Sequence, residues 1–309
     1  MRIIQFAIFG ALLIGGLASC QQQNIDASTD AAATYTANMA DISSYTASQP
    51  FSGTTSASGL FFSSTSPGST TVVPAYGQEI EFTYTLSVLY GPSNISGATT
   101  VTSKKVDSAY ATTSTFCPFF AGSLKPGLEE GILKMHEGES ATLIMPSILA
   151  FGSTQDGNIP ANSPVRFDVT LKRTRTEDQQ INDYIAANKL VVTTTTDSGV
   201  RIIKTKTNPS GATPSANQTI TLNYAGKLLR ATTGFTGGTG TDTKTVGTAK
   251  FVPGFEEGLK NLQVGEKATV IFPSSMGYGA TGAAQNSIYV IPPYSPLSFD
   301  LEVVSVKWG

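Results

Sequence analysis

The 309-residue chain is short of side chains that could donate, accept or attack. It holds one histidine, His136, and two cysteines, Cys20 and Cys117, and only 14% of its residues are charged. One histidine makes neither a zinc site nor a catalytic triad. Cys117 lies among aromatics in FCPFF with nothing tying His136 to it, so it reads as a buried, inert thiol. His136 reads as a solvated side chain beside a turn. No cofactor or metal is implied. A net charge of -2 supplies no positive field to gather nucleic acid. What recurs in fixed order is glycine, proline, paired glutamates and aromatics, above all in FVPGFEEGLKNLQVGEKATVIFPSSMGYG at 251–279. Acid–base and metal chemistry need other residues.

A near copy of that stretch, LKPGLEEGILKMHEGESATLIMPSILAFG, occupies 124–152 at a constant offset of 127. IPANSPVRFDVTL (159–171) pairs with IPPYSPLSFDLEV (291–303) at an offset of 132, and IEFTYTLSV (80–88) with ITLNYAGKL (220–228) at 140. DISSYTA ahead of the first copy resembles QINDYIA ahead of the second. Forty-one residues separate Tyr84 from Pro126 but 28 separate Tyr224 from Pro253, so copy one carries about 13 extra residues there. Copy two carries five extra after its glycine-rich turn. Such insertions belong in surface loops.

Periodicity places the elements. Ile80, Phe82, Tyr84, Leu86 and Val88 alternate with polar residues, as Ile220, Leu222, Tyr224, Gly226 and Leu228 do, which predicts strands with one core face. KATVIFP and FDLEVVSV predict two more. GFEEGLKNL predicts a helix of two or three turns, with Phe255, Leu259 and Leu262 on one stripe. Glu256 and Glu257 fall where the helix dipole favours them. Gly226, Gly254, Gly258 and Gly279 read as turn or close-approach positions. The charged KRTRTEDQQ run predicts a solvated linker feeding a short helix at 177–188, and Trp308 is expected to pack on the last strand.

MRIIQFAIFGALLIGGLASC has a basic residue, an apolar run too short for a stable span, and small residues ending at Cys20. It resembles a bacterial lipoprotein signal, which implies acylation of Cys20 and anchoring through buried acyl chains. An incidental cysteine behind a plain signal peptide is the alternative. Lipidation would leave Cys117 without a disulfide partner. The expected organisation is a signal at 1–20, a polar tether at 21–40, one domain at 41–175 and a second at 176–309.

Tyr224-Ala-Gly-Lys-Leu, Phe235, the 251–279 stretch and VIPPYSPLSFDLEV together resemble the FKBP-type peptidyl-prolyl cis-trans isomerases. The resemblance covers about 190–309, and 50–173 more loosely. It implies an α+β fold of two tandem domains, each a twisted antiparallel sheet wrapped across a short helix. It also implies chemistry without ionisable groups. An X-Pro bond isomerises over a barrier of roughly 20 kcal/mol set by amide resonance, and an apolar pocket can lower it by desolvating and holding a twisted bond. Motif positions then put Tyr224 on one wall with Phe235 beside it, Phe251 and Val252 at the helix approach, and Phe255 as the floor. Tyr278, Val290 and Ile291 fall on the far rim and Phe299 on the last strand. Tyr278 is the hydroxyl expected to face the substrate carbonyl, and the Val252 amide could bind a backbone oxygen.

Departures from the pattern divide the copies. Where the family commonly has tryptophan, copy two has Phe255; where an aspartate commonly follows the phenylalanine, it has Thr236. Copy one has Leu128 as floor, Lys125 at the approach, Phe151 at the rim and no clear match for Phe235, so it is expected to be a binding or structural module. The expected whole is a foldase of proline-containing exported polypeptides, held to a bacterial envelope membrane by Cys20, at the outer membrane facing the periplasm. A non-catalytic peptide-binding or chaperone lipoprotein is the alternative. Pockets filled by their own side chains would suggest a purely structural role.

Overall fold

The computed structural model describes residues 29–68, 71–108, 110–235, 240–245 and 251–308. Cys20, the signal segment and Thr236 lie outside the described residues. The chain forms two compact units that divide between Thr174 and Arg175, with Gly77–Glu79 grouped in the second.

The first unit opens with α1 (Thr29–Ala47) and continues through β1 (Thr54–Thr55), β2 (Phe61–Ser66), β3 (Gln78–Tyr90), β4 (Thr102–Asp107), β5 (Thr115–Phe119), α2 (Pro126–Ile132), β6 (Ser140–Met145) and β7 (Val165–Arg175). Its sheet runs β1-β2-β6-β7-β3-β4, with β5 added onto β3. The second unit has α3 (Glu177–Ala187), β8 (Thr194–Thr195), β9 (Arg201–Lys206), β10 (Gln218–Leu228), β11 (Gly240–Thr245), α4 (Pro253–Lys260), β12 (Lys267–Phe272), β13 (Ala283–Gln285), β14 (Ile288–Ile291) and β15 (Leu297–Trp308). Its main sheet runs β11-β10-β15-β12-β9-β8, and β13 and β14 form a separate hairpin. Strand for strand, the two main sheets share one order. This is the expected α+β class with antiparallel sheets.

The alternation in β3 puts Ile80, Phe82, Tyr84, Leu86 and Val88 in the core. The apolar stripe of α4 does likewise with Phe255, Leu259 and Leu262. Both short helices press close to a strand through glycine. A Cβ at Gly254 would lie 2.4 Å from the Phe272 ring, and one at Gly258 would lie 2.8 Å from Val270, both on β12. Gly127 and Gly131 give α2 the same closeness to Met145 and Leu143 on β6. The backbone can approach only because no side chain intervenes.

Several segments depart from expectation. The stretch expected as a polar tether is helical from Thr29 onward, and α1 packs Ile42 and Tyr45 against Phe61, Leu89 and Ile144. Its polar residues are used too: Asn38 Oδ1 accepts the Ser147 amide at 2.8 Å and Asn38 Nδ2 donates to the Asn162 carbonyl at 2.9 Å. Helix α3 is its counterpart ahead of the second sheet. There Thr176 caps the helix in a reciprocal box with Gln179, and Ile181 packs with Ile203 and Ile271. The KRTR residues expected in a linker instead finish β7, and Arg175 is buried with Asp183 3.4 Å away. Trp308 pairs in register with Gln218, yet its side chain is 73% exposed rather than packed. Cys117 is only partly buried, its Sγ donating to the Pro118 carbonyl at 3.3 Å.

Candidate functional site

The second unit gathers its aromatics where α4 crosses the sheet. Phe255, 2% exposed, is the hub. Tyr224 of β10 meets it edge-on, with centroids 5.6 Å apart and planes at 86°. Phe299 of β15 does the same at 5.1 Å and 89°. Phe251, just ahead of α4, stacks on it at 4.4 Å and 17°. Phe235 meets Phe299 edge-on at 5.6 Å. Edge-to-face rings place a positive rim against a negative face, a preferred arrangement at this spacing. The result is an apolar ring cluster centred on Phe255.

Gly226 makes this possible. A Cβ there would sit 2.5 Å from the Phe299 ring and 2.9 Å from the Phe235 ring. Its carbonyl also accepts the Phe235 amide at 2.9 Å, which holds the backbone of Phe235 itself against β10. Val252 caps α4 with an extended backbone, φ -65° and ψ 150°. Its carbonyl accepts the Phe255 and Glu256 amides, while its own amide makes no bond with the described residues.

Tyr224, Phe235, Phe251, Val252, Phe255, Ile291 and Phe299 therefore belong to one apolar cluster. Tyr278 and Val290 stand outside that cluster, each 36% exposed, on the loop and hairpin beside it. That loop joins the cluster through Met276 and Ala283. Phe272 was missed in the sequence reading. It stacks parallel to Phe299 at 5.7 Å and supports it from behind, and its place at the end of KATVIFP, on the buried phase of β12, was the available signal.

The five extra residues of copy two fall in the β13–β14 hairpin, whose turn uses Asn286 and Ser287 at positive φ.

The corresponding place in the first unit is closed. Leu128 is fully buried, and Tyr84 is 2% exposed because Tyr110 stacks on it at 5.3 Å and 20°. Tyr110 belongs to the longer connection between Tyr84 and Pro126, and its carbonyl also accepts the Tyr84 amide at 3.1 Å. Burial first, then the nearby Asp107 carboxylate, raises the Tyr84 hydroxyl above its ordinary range. Lys125 lies over the Phe151 ring, 4.7 Å from its centroid. Glu129 holds the same connection down by accepting the Gly122 amide at 2.9 Å and the Tyr76 hydroxyl at 2.6 Å, which pushes Tyr76 up to about 12. His136 is half exposed, its Nδ1 3.3 Å from the Glu139 carboxylate. Among the described residues no group of three or more His, Cys, Asp or Glu is placed to hold a metal ion.

The sequence model of the FKBP-type peptidyl-prolyl cis-trans isomerases matches residues 73–172 and 211–304. The chain belongs to this family. Human Peptidyl-prolyl cis-trans isomerase FKBP9 is 27% identical to it over 208 residues, which are 66% of this chain and 32% of that protein. FK506-binding protein 3 of Dictyostelium discoideum is 34% identical over 131 residues, 38% of this chain and 62% of that one. FkpA of Escherichia coli strain K12 is 24% identical over 155 residues, 49% of this chain and 53% of that one. The chain thus spans less than two thirds of the length of each of these relatives. Among solved structures, Escherichia coli FkpA matches at 24% identity and a TM-score of 0.36, covering 48% of this chain and 62% of that one. The three FKBP domains of wheat FKBP73 match at 21% identity and a TM-score of 0.33, covering 81% of this chain and 95% of that one. The two segments matched by the family model make the tandem arrangement seen in the sequence one of two FKBP-type segments.

Proposed function

We propose that this chain is a peptidyl-prolyl isomerase acting on exported polypeptides through the aromatic surface of its second FKBP-type unit. The observation that carries the reading is the ring cluster around Phe255, with Tyr224 partly open in the second unit while Tyr84 is covered in the first. A prolyl ring seated against Phe255 leaves water, and the adjacent amide loses the solvation that favours its planar, polar form. The Val252 amide then binds a substrate carbonyl, and the Tyr278 hydroxyl meets the carbonyl of the twisting bond. Contacts that strengthen as the bond twists raise kcat. Each factor of ten requires about 1.4 kcal/mol of such differential binding. The first unit serves as a binding or structural module.

Export is proposed from the signal segment, and attachment to the envelope membrane from acylation of Cys20, with the chain held at the outer membrane on its periplasmic side. Loss of metabolic lipid labelling in Cys20→Ala tests the anchor.

One observation favours the second reading, a non-catalytic peptide-binding or chaperone lipoprotein: Phe251 covers a face of Phe255. In the isomerase reading Phe251 swings aside when substrate enters. Exchange spectroscopy or a protease-coupled assay on X-Pro peptides separates the two. Acceleration by the full chain, weakened in Tyr278→Ala, supports catalysis; peptide binding with no acceleration supports the second reading.

A further inference from the structure

Tyr278 sits on a loop, and a loop residue that meets a substrate needs something to hold it. The 3-10 turn Ser274–Met276 leads into Gly277-Tyr278-Gly279. The Ser274 carbonyl accepts the amides of both Gly277 and Gly279 at 2.8 Å, bracketing Tyr278. The Gly279 carbonyl accepts the Tyr294 amide at 2.9 Å, and the Tyr278 carbonyl accepts the Gly282 amide at 3.1 Å. The whole loop is therefore referred to Ser274.

Ser274 is itself held from outside the family-matched segment. Glu177, at the start of α3, accepts the Ser274 amide on Oε2 at 2.5 Å and the Ser274 hydroxyl on Oε1 at 2.6 Å. Helix α3 gives that carboxylate a fixed origin through its capping box and the packing of Ile181 on Ile203 and Ile271, and Asp178 pairs with Arg201 of β9. The first unit meets the same need with a different residue, since Asn38 of α1 accepts the amide of Ser147, the match of Ser274. Two copies with different side chains make one contact, so the contact rather than the residue type is what the fold requires.

We infer that Glu177 is a positioning residue of the isomerase site, clamping Ser274 so that the loop presents Tyr278 to the substrate. This rests on the isomerase reading for its kinetic consequence but not for its structural one. A carboxylate accepting two hydrogen bonds holds more firmly than neutral partners do. An amide at the same place can still accept from the Ser274 amide and donate to its hydroxyl.

The test compares Glu177→Ala, Glu177→Gln and Ser274→Ala in the full chain, by steady-state kinetics on an X-Pro peptide and by hydrogen exchange of the peptide covering 273–282. Glu177→Ala is expected to lower kcat about tenfold, as loss of a charge-assisted pair would, with KM within about twofold. It also loses protection at Gly277 and Gly279 while β12 and β15 keep theirs. Glu177→Gln restores most of both, and Ser274→Ala falls between. Wild-type kcat and unchanged protection in Glu177→Ala overturn the inference, as does equal damage in the Ala and Gln variants with protection lost throughout the sheet. If the wild-type chain is inactive on every peptide, the isomerase reading fails. The exchange data then decide the clamp alone: loop protection lost in Ala and kept in Gln supports it, and no change overturns it.

Discussion

Phe251 lies face to face with Phe255, ring centroids 4.4 Å apart and planes 17° from parallel, so the ring proposed as the floor is stacked by a neighbour four residues earlier in the chain. The contact is apolar and involves a residue outside any helix or strand, just ahead of α4. Phe251→Val removes the stacked ring and leaves an apolar side chain behind. The variant is expected to raise kcat/KM on X-Pro peptides two- to fivefold, about the effect of lifting a contact of 0.5–1 kcal/mol. A fall in kcat/KM would show that Phe251 forms part of the working surface.

Gly226 lets Phe299 and Phe235 share one space. Gly226→Ala puts a methyl group into ring atoms, and overpacking of this kind costs about 1–3 kcal/mol. Denaturant melting of the second unit is expected to shift by that amount, with kcat/KM falling as Phe235 is pushed outward. Unchanged melting would mean that the rings have room to retreat.

The first unit is expected to contribute nothing to turnover. Leu128→Ala empties a fully buried position and should destabilise that unit by about 2–5 kcal/mol. Isomerisation of short peptides by the full chain should nevertheless stay at the wild-type rate below the melting of the first unit. A parallel loss of activity would place part of the working site there.

Acid should weaken the second unit through Glu266. Burial alone would raise this carboxyl, but Lys204 at 2.7 Å and the amides of Gln263 and Asn208 outweigh it and lower its pKa. A depressed folded-state pKa contributes stability that is fully present above the unfolded value, about 4.3, and is lost as pH falls through the folded one. Stability from this group is therefore flat from pH 7 to about 5 and declines below that. Glu266→Gln should flatten the acid limb and lower stability at pH 7, which urea melts at several pH values would read. A wild-type slope in Glu266→Gln would assign the acid sensitivity to other groups.

The sequence carried what local periodicity can carry. Strand β3, helix α4 and the duplicated plan were all legible, because each is written within about ten residues or repeats at a fixed offset. What escaped depends on a distant partner. The first part of helix α1 looked like a tether because its anchor there, Asn38, is a polar side chain whose use appears only when Ser147 comes near. Arg175 looked solvated until its strand was placed. Nor could the closing of the first site be read from Leu128 and Lys125 alone, since Tyr110 reaches Tyr84 from 26 residues away. At the second site the candidate residues came from motif positions, and the geometry adds Phe272 behind them and Glu177 beside them.

Floor identity tests the account most directly, because the two units differ there by one aromatic ring. Phe255→Leu copies the first unit's Leu128 into the second and keeps an apolar but smaller side chain, so the variant should fold with a loss of about 1–3 kcal/mol that a denaturant melt reads. The measurement is kcat/KM on an X-Pro peptide for the full chain and for this variant. The account predicts clear acceleration by the wild type and a loss of about tenfold or more in Phe255→Leu. A folded wild type with no acceleration, or a variant equal to it, would contradict it.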